Sequence, residues 1–528
     1  MMPRSFAHST FAALLIAVAG AGCVPAGAEG AADLDENEGE TLESEVGAKA
    51  TVQLGADGKL VYKADSMGDR IPDFSYAGYQ GGGVEIPKVP VVRTLTASSG
   101  DNRKKLQDAI DEVAALPRAK RGAILLKKGT YRLSGPIYVE ASGIVLRGEG
   151  EGANGTVLLS TLKSKREEAL VQLAGKAPER VGTARKVADA YVPVGARKLR
   201  LESTSGLAVG DMVLVDRPST KAWIHELGMD QIPPRKDGKP IKQWEPEERH
   251  LSFDRRIAAI DGKVITLDAP ITSSLDPKYG GGRVQKYEGH TIAEVGVENL
   301  RGDTVFDGST DEDHIWDFLS FTNVRNGWAQ HVTGVHFAHR VVGVLDGSRQ
   351  ITVRKSTSLS PVSKVEGGRR YAFHIDGGQL VLVHDCSSEK GRHDYVTGSR
   401  VAGPNVFLES VAKSPGAEVG PHERWAVGTL YDNIVVQGGD LSAYDRGNMG
   451  SGHGWAGANH VFWNSSAEGM TCEQPPTAHN WNFGADVDDR TGNCEWRSVG
   501  KDVKPESLYR QQLRERLGAK AMKALDAE

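Results

Sequence analysis

Short strand-like runs recur at a nearly constant interval in the C-terminal half of the chain, and this repeat constrains the fold more than any other feature. The clearest copies, 405–409, 433–437 and 459–464, each begin with asparagine and then contain β-branched or aromatic residues. A period of 19 to 29 residues separates the predicted equivalent positions, which are Val332, Ile351, Leu380, Val406, Ile434 and Val461. Intervals of this size are typical of stacked structural repeats.

The content of each repeat predicts strands rather than helices. Every copy contains two or three short strand-like pieces separated by Gly, Asn or Asp, and none is long enough to form a helix. Strands of successive copies must then pair in parallel, which predicts a solenoid with apolar side chains stacked inside. A sandwich of hairpins also has short strands, but it does not require a fixed period. The 63 glycines agree with a fold that has many corners.

An amphipathic helix is predicted before the first strands. Residues 101–116 place Leu106, Ala109, Ile110 and Val113 at helical spacing, and Pro117 ends the pattern. A helix of this kind covers the otherwise exposed first coil of a β-solenoid.

The segment from Gly100 to Gly150 is similar to the opening of right-handed parallel β-helix proteins of the pectate-lyase (pectin-lyase-like) superfamily. The motifs 128–132 (Lys-Gly-Thr-Tyr-Arg) and 146–150 (Leu-Arg-Gly-Glu-Gly) carry the resemblance, and residues from about 290 to 485 follow the coil pattern. The resemblance implies an all-β, right-handed parallel β-helix and is much less specific for substrate. We expect this domain over residues 51–500, with a small β subdomain inserted at about 180–288 and a C-terminal helical cap over 501–528.

The N-terminus predicts export. Arg4, the apolar run 11–18 and the small residues after it predict a signal peptide over residues 1–22. Cys23 resembles the lipidated cysteine of bacterial lipoproteins, and simple secretion is the alternative. Residues 23–50 predict an acidic disordered tether. We expect a protein of the bacterial cell envelope, secreted or anchored to the outer membrane by lipid alone.

The remaining cysteines and one acidic cluster give two further predictions. Cys472 and Cys494 flank one short segment and are the predicted disulfide, whereas Cys386 is predicted to be a buried free thiol. Ca²⁺ is the one cofactor that the sequence suggests, and a solvated turn is the alternative for its clustered oxygen ligands. The candidate ligands are Asp486, Asp488 and Asp489.

A second recurrence, richer in polar residues, runs through residues 370–483. Side chains two positions apart share one face of a strand, and neighbouring strands lie about 4.8 Å apart, so equivalent residues of successive coils should form ladders. The predicted aromatic ladder contains Phe373, Tyr395, Trp425, Trp455 and Trp481. The ladder two residues earlier contains Tyr371, His393, Glu423, His453 and His479.

This mixture of residue types is what an acidic-sugar groove requires. Aromatic rings pack on pyranose faces, arginines bind carboxylates, and histidines titrate near neutral pH. The alternative is that the aromatic rings stack inside the solenoid. The predicted substrate-binding residues are Arg392, Arg424, Trp425, Trp455, Trp481 and His374. The predicted catalytic residues are His393, His422, Tyr395 and His453.

Cleavage of a uronate by β-elimination needs three groups. One neutralises the carboxylate, a base removes the C5 proton, and an acid protonates the departing O4 oxygen. The sequence offers Arg392, Arg424 or Ca²⁺ for the first role, His393 or His422 for the second, and Tyr395 or His453 for the third.

Hydrolysis instead requires two carboxylates that face each other across the bond. Asp376, Asp394, Glu423 and Asp445 are available, but they do not form the compact acid cluster that a resemblance to polygalacturonases would require. We therefore predict a monomeric polysaccharide lyase acting on an acidic glycan. The alternatives are a glycoside hydrolase of the same fold and a non-catalytic carbohydrate-binding solenoid. A net charge of −5 argues against nucleic acid as a partner.

Overall fold

The computed structural model describes residues 49–289 and 291–527. The predicted signal peptide, Cys23 and the tether up to residue 48 lie outside the described residues, so these predictions stand as they were made. In the part of the chain that is described, no helix is long and apolar enough to cross a membrane.

Three parallel sheets wind around a common interior, and successive coils add strands to the sheets, although the third sheet ends at Gly420–Pro421. Every strand pairing within these sheets is parallel, as between Phe373 and Tyr395 or between Val406 and Leu430. This pattern defines a parallel β-helix and confirms the predicted fold class.

The first and second sheets share two long strands, which turn a corner between them. The first sheet contains Val91–Leu95, Ala123–Leu126, Val145–Arg147, Ile292–Thr304, Val324–Val335, Arg349–Arg354, Leu382–His384, Ala402–Leu408, Ala426–Asp432, Gly457–Ala458, Val461–Trp463, Trp481–Phe483 and Glu495–Arg497. The second contains Gly129–Leu133, Thr156–Ser160, the ends of Ile292–Thr304 and Val324–Val335, and then Thr357–Leu359, Ser387–Glu389, Val411–Lys413, Val435–Gln437, Ser466–Thr471 and Asp486–Thr491. The third contains Ile137–Val139, Arg166–Ala174, Ile315–Thr322, Val342–Leu345, Phe373–Asp376, Tyr395–Thr397 and Gly420–Pro421.

The predicted register of the repeat is wrong at most positions. Val406 and Val461 do share one level of the first sheet, together with Leu382 and Leu430. The corresponding residue of the preceding coil is Thr352 rather than Ile351. The other predicted positions are also displaced from this level, because the corners between strands differ in length from coil to coil. They are Val332, Leu380 and Ile434.

Aromatic rings stack inside the solenoid along its axis. Phe373 lies on Tyr395 with ring centroids 5.6 Å apart, and Tyr431 lies between Phe407 and Phe462 at 5.3 and 5.1 Å. The rings belong to one continuous buried cluster that runs through the coils. Close stacking of this kind stabilises the coil interior beyond simple burial.

The N-terminal helix covers the first coil as predicted. It spans Arg103–Ala114 and buries Leu106, Ala109, Ile110 and Val113 in the cluster that fills the coils.

The C-terminal helices, Leu508–Leu517 and Ala519–Asp526, do not cap the end of the stack. Leu508 and Leu513 pack with Leu430 against the outer face of the first sheet, and the Arg510 Nε atom lies 2.6 Å from Glu409 Oε1. The prediction of a C-terminal cap is therefore wrong in position. The outer face of the first sheet has apolar residues, and the helices bury them instead of covering the last coil. The N-terminal hairpin of Thr51–Leu54 and Leu60–Lys63 precedes the coils, which begin at Val91.

The predicted insertion is present as an antiparallel sheet with the short helix Lys221–Glu226. Trp223 of this helix packs edge-on against Trp425 of the coils, with ring centroids 4.9 Å apart. The strands are Glu179–Arg180, Arg185–Lys186, Lys198–Arg200, Met212–Arg217, Leu251–Asp261, Val264–Leu267 and Arg283–Glu288. Four short 3₁₀ helices complete the described elements, at Phe74–Tyr76, Tyr79–Gly81, Arg118–Lys120 and Pro277–Tyr279.

The cysteines are arranged as predicted. Cys472 and Cys494 form a disulfide with their Cα atoms 5.4 Å apart, and Cys386 is a buried free thiol.

Asp394 gives a prediction about stability and pH. The residue is completely buried, and burial raises its pKa from 3.8 to about 7. Between about pH 4 and pH 7 the unfolded chain loses this proton while the folded protein keeps it, so rising pH costs up to roughly 4 kcal/mol of stability. Asp394→Asn cannot ionise, and urea unfolding should show a smaller loss of stability over this range. The exposed Asp488→Asn serves as control, and parallel curves for Asp394→Asn and the native protein would contradict the prediction.

Candidate active site

A cavity of about 690 Å³ lies beside the third sheet and is lined by three parts of the chain. The coils supply His339, Arg340, Tyr371, His374, Arg392, His422, Glu423 and His453. The insertion supplies Arg235 and Lys239, and neighbouring loops supply Gly367, Gly368, Arg446, Met449, Gly450 and Ser451.

Strand alternation places part of this lining. Phe373 and Ile375 point into the solenoid and belong to its buried cluster, so His374 between them faces outward. Tyr371 and His393 precede paired strands of the third sheet at equivalent positions, and their ring centroids lie 5.3 Å apart. The parallel pairing of successive coils thus brings together residues about twenty positions apart in the sequence.

The structure brings the three predicted histidines together. Ring centroids are 4.5 Å apart between His393 and His422, and 4.8 Å apart between His422 and His453. Tyr371 lies against both His393 and His422, at 5.3 and 5.2 Å. The predicted Arg424 joins the group by an ion pair with Glu423.

A hydrogen-bonded chain links Arg392, Tyr371 and His422. The Arg392 Nη1 atom donates to Tyr371 Oη over 3.3 Å, and this oxygen lies 3.1 Å from His422 Nε2. Because a guanidinium only donates, the tyrosine oxygen accepts from Arg392 and can give its own proton to His422. Burial raises the pKa of Tyr371, although Arg392 acts in the opposite direction. Tyr371 is therefore a neutral phenol that lies between the Arg392 cation and the His422 imidazole.

The histidines around this chain are neutral at ordinary pH. Burial, followed by the charges of His453 and Arg392, lowers the pKa of His422 to about 3. Burial also holds the pKa of His374 and His393 well below the usual range. Neutral imidazoles can accept a proton. An anion bound beside the arginines of the cavity would raise the pKa of these histidines.

His393 is fixed by the backbone. Its Nδ1 atom lies 2.6 Å from the Glu418 carbonyl oxygen, which only accepts, so Nδ1 carries the proton. The ring is 1% exposed and does not line the cavity itself. His393 therefore packs against the rings of Tyr371 and His422 and helps to position them.

Glu423 holds Arg424 and His453 in place through its carboxylate. Burial alone would raise its pKa, but the hydrogen bond with His453 and the charge of Arg424 lower it to about 2. The His453 Nδ1 atom lies 2.9 Å from Glu423 Oε2, and Arg424 also donates to Ser451. Arg424 is thus held in an ion pair with Glu423 and does not line the cavity itself.

The guanidinium groups of the cavity differ in their partners. Arg340 lies 3.3 Å from Asp376 and 3.6 Å from Asp317, and Arg446 pairs with Glu418. Burial lowers the pKa of Arg446 to about 10, so it stays cationic. Among the described residues, Arg392 has no carboxylate within ion-pair distance, which leaves its charge available to an anionic ligand.

Several predicted site residues lie elsewhere. Tyr395 is buried in the solenoid, where its hydroxyl donates to the carbonyls of Cys386 and Val411 at 2.8 and 2.9 Å. Trp425 is buried against the insertion. The structure therefore removes Tyr395 from the candidate acids and Trp425 from the sugar-contacting residues.

The other two tryptophans are also outside the cavity. Trp481 is completely buried beneath the C-terminal helices, and Trp455 packs half-buried against the insertion. The predicted aromatic ladder is thus wrong beyond Phe373 and Tyr395, since its members belong to three different environments.

Sequence reasoning missed several residues that line the cavity. Tyr371 was in the right ladder but was not assigned a role. The pair His339-Arg340 has the same two residue types as Arg392-His393, and this similarity could have identified His339 and Arg340 as candidate site residues. The other charged lining residues that it missed are Arg235, Lys239 and Arg446.

The fit of Ca²⁺ depends on oxygen ligands. His422, Glu423 and His453 have ligand atoms within 4.8 Å of one another, but two nitrogens and an ion-paired carboxylate do not suit this ion. The predicted ligands Asp486, Asp488 and Asp489 lie on an exposed strand. Within the described residues they are not part of a close three-ligand cluster, and Ca²⁺ binding there stays a prediction.

The fold and the cavity together define a parallel β-helix protein with a cationic, histidine-lined pocket. No protein-family model and no curated protein matches the sequence. Similar solved structures include a polygalacturonase from Erwinia carotovora ssp. carotovora, which is 10% identical over 78% of this chain and 98% of that chain, with a TM-score of 0.40.

Two further similar structures are an alginate lyase and a phage tailspike protein. An alginate lyase from Paenibacillus sp. str. FPU-7 is 10% identical over 78% of this chain and 97% of that chain, with a TM-score of 0.37. The tailspike protein gp49 from Pseudomonas phage LKA1 is 10% identical over 75% of this chain and 73% of that chain, with a TM-score of 0.37. At such low identity and TM-score these likenesses carry no functional information.

Proposed function

We propose that the protein is a polysaccharide lyase that cleaves a uronate-containing glycan by β-elimination in this cavity. The observation that carries the proposal is the chain from Arg392 through Tyr371 to His422. It joins an unpaired cation to a phenol, and this phenol to a neutral imidazole, through successive hydrogen bonds. These are the groups needed to neutralise a carboxylate and to move the adjacent proton.

The first half of the reaction follows from this arrangement. The substrate carboxylate binds Arg392, which makes the neighbouring C5 proton more acidic. The Tyr371 oxygen takes this proton while its own proton passes to His422 Nε2. Of the two bases predicted from the sequence, this proposal selects His422, and His393 becomes a positioning residue.

The second half requires an acid. The electron pair left at C5 forms the C4–C5 double bond, and the C4–O4 bond breaks. His453, oriented by Glu423 at 2.9 Å, acts as the acid and gives its proton to the departing O4 oxygen. One proton leaves C5 and one reaches O4. His422 then holds the proton that His453 has lost, and its transfer between these rings, whose centroids are 4.8 Å apart, restores the enzyme without water as a reactant.

The carboxylates of the site support elimination over hydrolysis. Among the described residues that line the cavity, Glu423 is the only carboxylate, and it is held by Arg424 and His453. The predicted alternative Asp394 is buried inside the coils. The lining residues therefore do not themselves supply the pair of opposed acids that hydrolysis requires, and Asp376, which pairs with Arg340, lies outside the lining. Export, lipidation at Cys23, a monomeric state and Ca²⁺ dependence remain predictions.

A panel of polyuronates tests the proposal. The purified protein is incubated with alginate, pectate, glucuronan and glycosaminoglycans, and the ultraviolet absorbance of the new double bond is followed. We expect absorbance to rise on at least one acidic glycan and to be lost in Arg392→Ala. The exposed Arg132→Ala in an early coil is a matched control. New reducing ends without absorbance would indicate hydrolysis, and neither signal would favour a carbohydrate-binding protein.

A further inference from the structure

Part of the insertion reaches the cavity and docks on a loop of the coils. We call residues 229–244 the arm and residues 445–454 the docking loop. The Arg235 Nη1 atom donates to the carbonyls of Asn448 and Gly450 at 3.3 and 3.2 Å. The Asn448 side chain donates back to the carbonyls of Pro233 and Pro234 at 3.1 and 3.0 Å. These reciprocal bonds hold the arm beside the catalytic residues.

Two glycines of the docking loop allow this close approach. A Cβ atom at Gly454 would lie 2.3 Å from Met229 Sδ, and one at Gly452 would lie 2.6 Å from the Lys242 carbonyl oxygen. Both glycines also have positive φ angles, which other residues rarely adopt. The glycines on either side of His453 therefore fit the arm against the loop.

The arm borders the cavity near His453. Arg235 and Lys239 of the arm line the cavity together with His453. His479, which the predicted ladder placed on the next coil, does not line it, because its Nε2 atom lies 3.2 Å from Asp65 Oδ2 of the N-terminal segment. The row of catalytic side chains thus stops at His453.

The opposite side of the cavity is open. Gly367 and Gly368 line it there, and a Cβ atom added to either one would meet no atom within 4 Å. A glycan has room to leave the cavity on this side, near His339 and Arg340.

We propose that the arm turns the groove into a dead end, so that the enzyme acts at the end of the glycan chain rather than in its middle. This inference rests on the proposed lyase function. Because His453 protonates the departing oxygen, the departing fragment lies on the side of the arm. The closed end limits that fragment to a short unit, while the rest of the glycan extends past Gly367 and Gly368.

Product size during the reaction tests the inference. The native protein should release short products from the first time points, and the viscosity of the glycan should fall slowly. A ladder of long unsaturated oligosaccharides with a rapid fall in viscosity would overturn chain-end action and leave the lyase function intact. If no acidic glycan gives an unsaturated product, the proposed function itself fails.

Variants that loosen the arm sharpen the test. Arg235→Ala removes the two hydrogen bonds to the docking loop, and the share of long products should rise by about tenfold. Gly454→Ala should act in the same direction by displacing Met229. Gly447→Ala is the matched control, since Gly447 also has a positive φ but an added Cβ atom would meet nothing within 4 Å. If an active arm variant still gives only short products, the arm is not the barrier.

Discussion

Tyr371→Phe should lower kcat by about 10²–10⁴-fold, which is the range for loss of a proton-transferring group. The substitution removes the one hydroxyl that contacts both Arg392 and His422 and leaves the ring in place. Substrate binding depends mainly on Arg392, so KM should change little. Initial rates of double-bond formation, measured over a range of glycan concentrations, give both constants.

Two other tyrosines provide controls for this result. Tyr138→Phe alters a partly exposed residue of the first coil and should leave kcat unchanged. Tyr395→Phe removes the hydroxyl that donates its one proton to the Cys386 and Val411 carbonyls, and it should lower stability without a comparable loss of turnover. Native kcat in Tyr371→Phe would remove Tyr371 from the proposed mechanism.

Trp481→Ala should lower the free energy of unfolding by about 3–5 kcal/mol, as expected for truncation of a fully buried aromatic side chain. The ring is 0% exposed and packs among Val461, Leu430 and Leu508. The alanine leaves a cavity between the first sheet and the C-terminal helices. Denaturant unfolding, followed by circular dichroism, measures the loss.

Trp481→Ala also tests whether Trp481 is a core residue or a substrate-binding residue. The protein that remains folded should keep the native KM, because Trp481 does not line the cavity. Trp496→Ala, at a partly exposed ring on the last strand, should cost less than half as much stability. A large rise in KM with little loss of stability would restore Trp481 as a substrate-binding residue.

The fold was predictable because the repeat is long and local. Glycine, asparagine and β-branched residues recur in every coil, and such a pattern is compatible with few folds other than a solenoid. The register was not predictable. Val406 and Leu430 pair at a distance of 24 residues, whereas Leu430 and Val461 pair at 31, so the corners change length without a clear sequence signal.

The site was predictable only in part. His393, His422 and His453 could be grouped because successive coils bring them to one side of the solenoid. The choice of Tyr395 over Tyr371 failed because Tyr395 belongs to a strand of the third sheet and points into the interior, whereas Tyr371 precedes its strand, where strand alternation no longer sets the direction of the side chain. Arg235 and Lys239 could not have been found, since the insertion reaches the cavity through tertiary packing alone.

Isotope transfer from solvent tests the central claim most directly. The glycan is cleaved in water enriched in the heavy oxygen isotope, and early products are analysed by mass spectrometry. Elimination breaks the C4–O4 bond without water, so we predict that the fragments have the masses of an unsaturated and a saturated pair with no heavy oxygen from the cleavage step. Because a new reducing end exchanges its anomeric oxygen with water after either reaction, the fragment masses decide: hydrolysis adds the elements of water, and two saturated fragments from each cleaved bond would contradict the account.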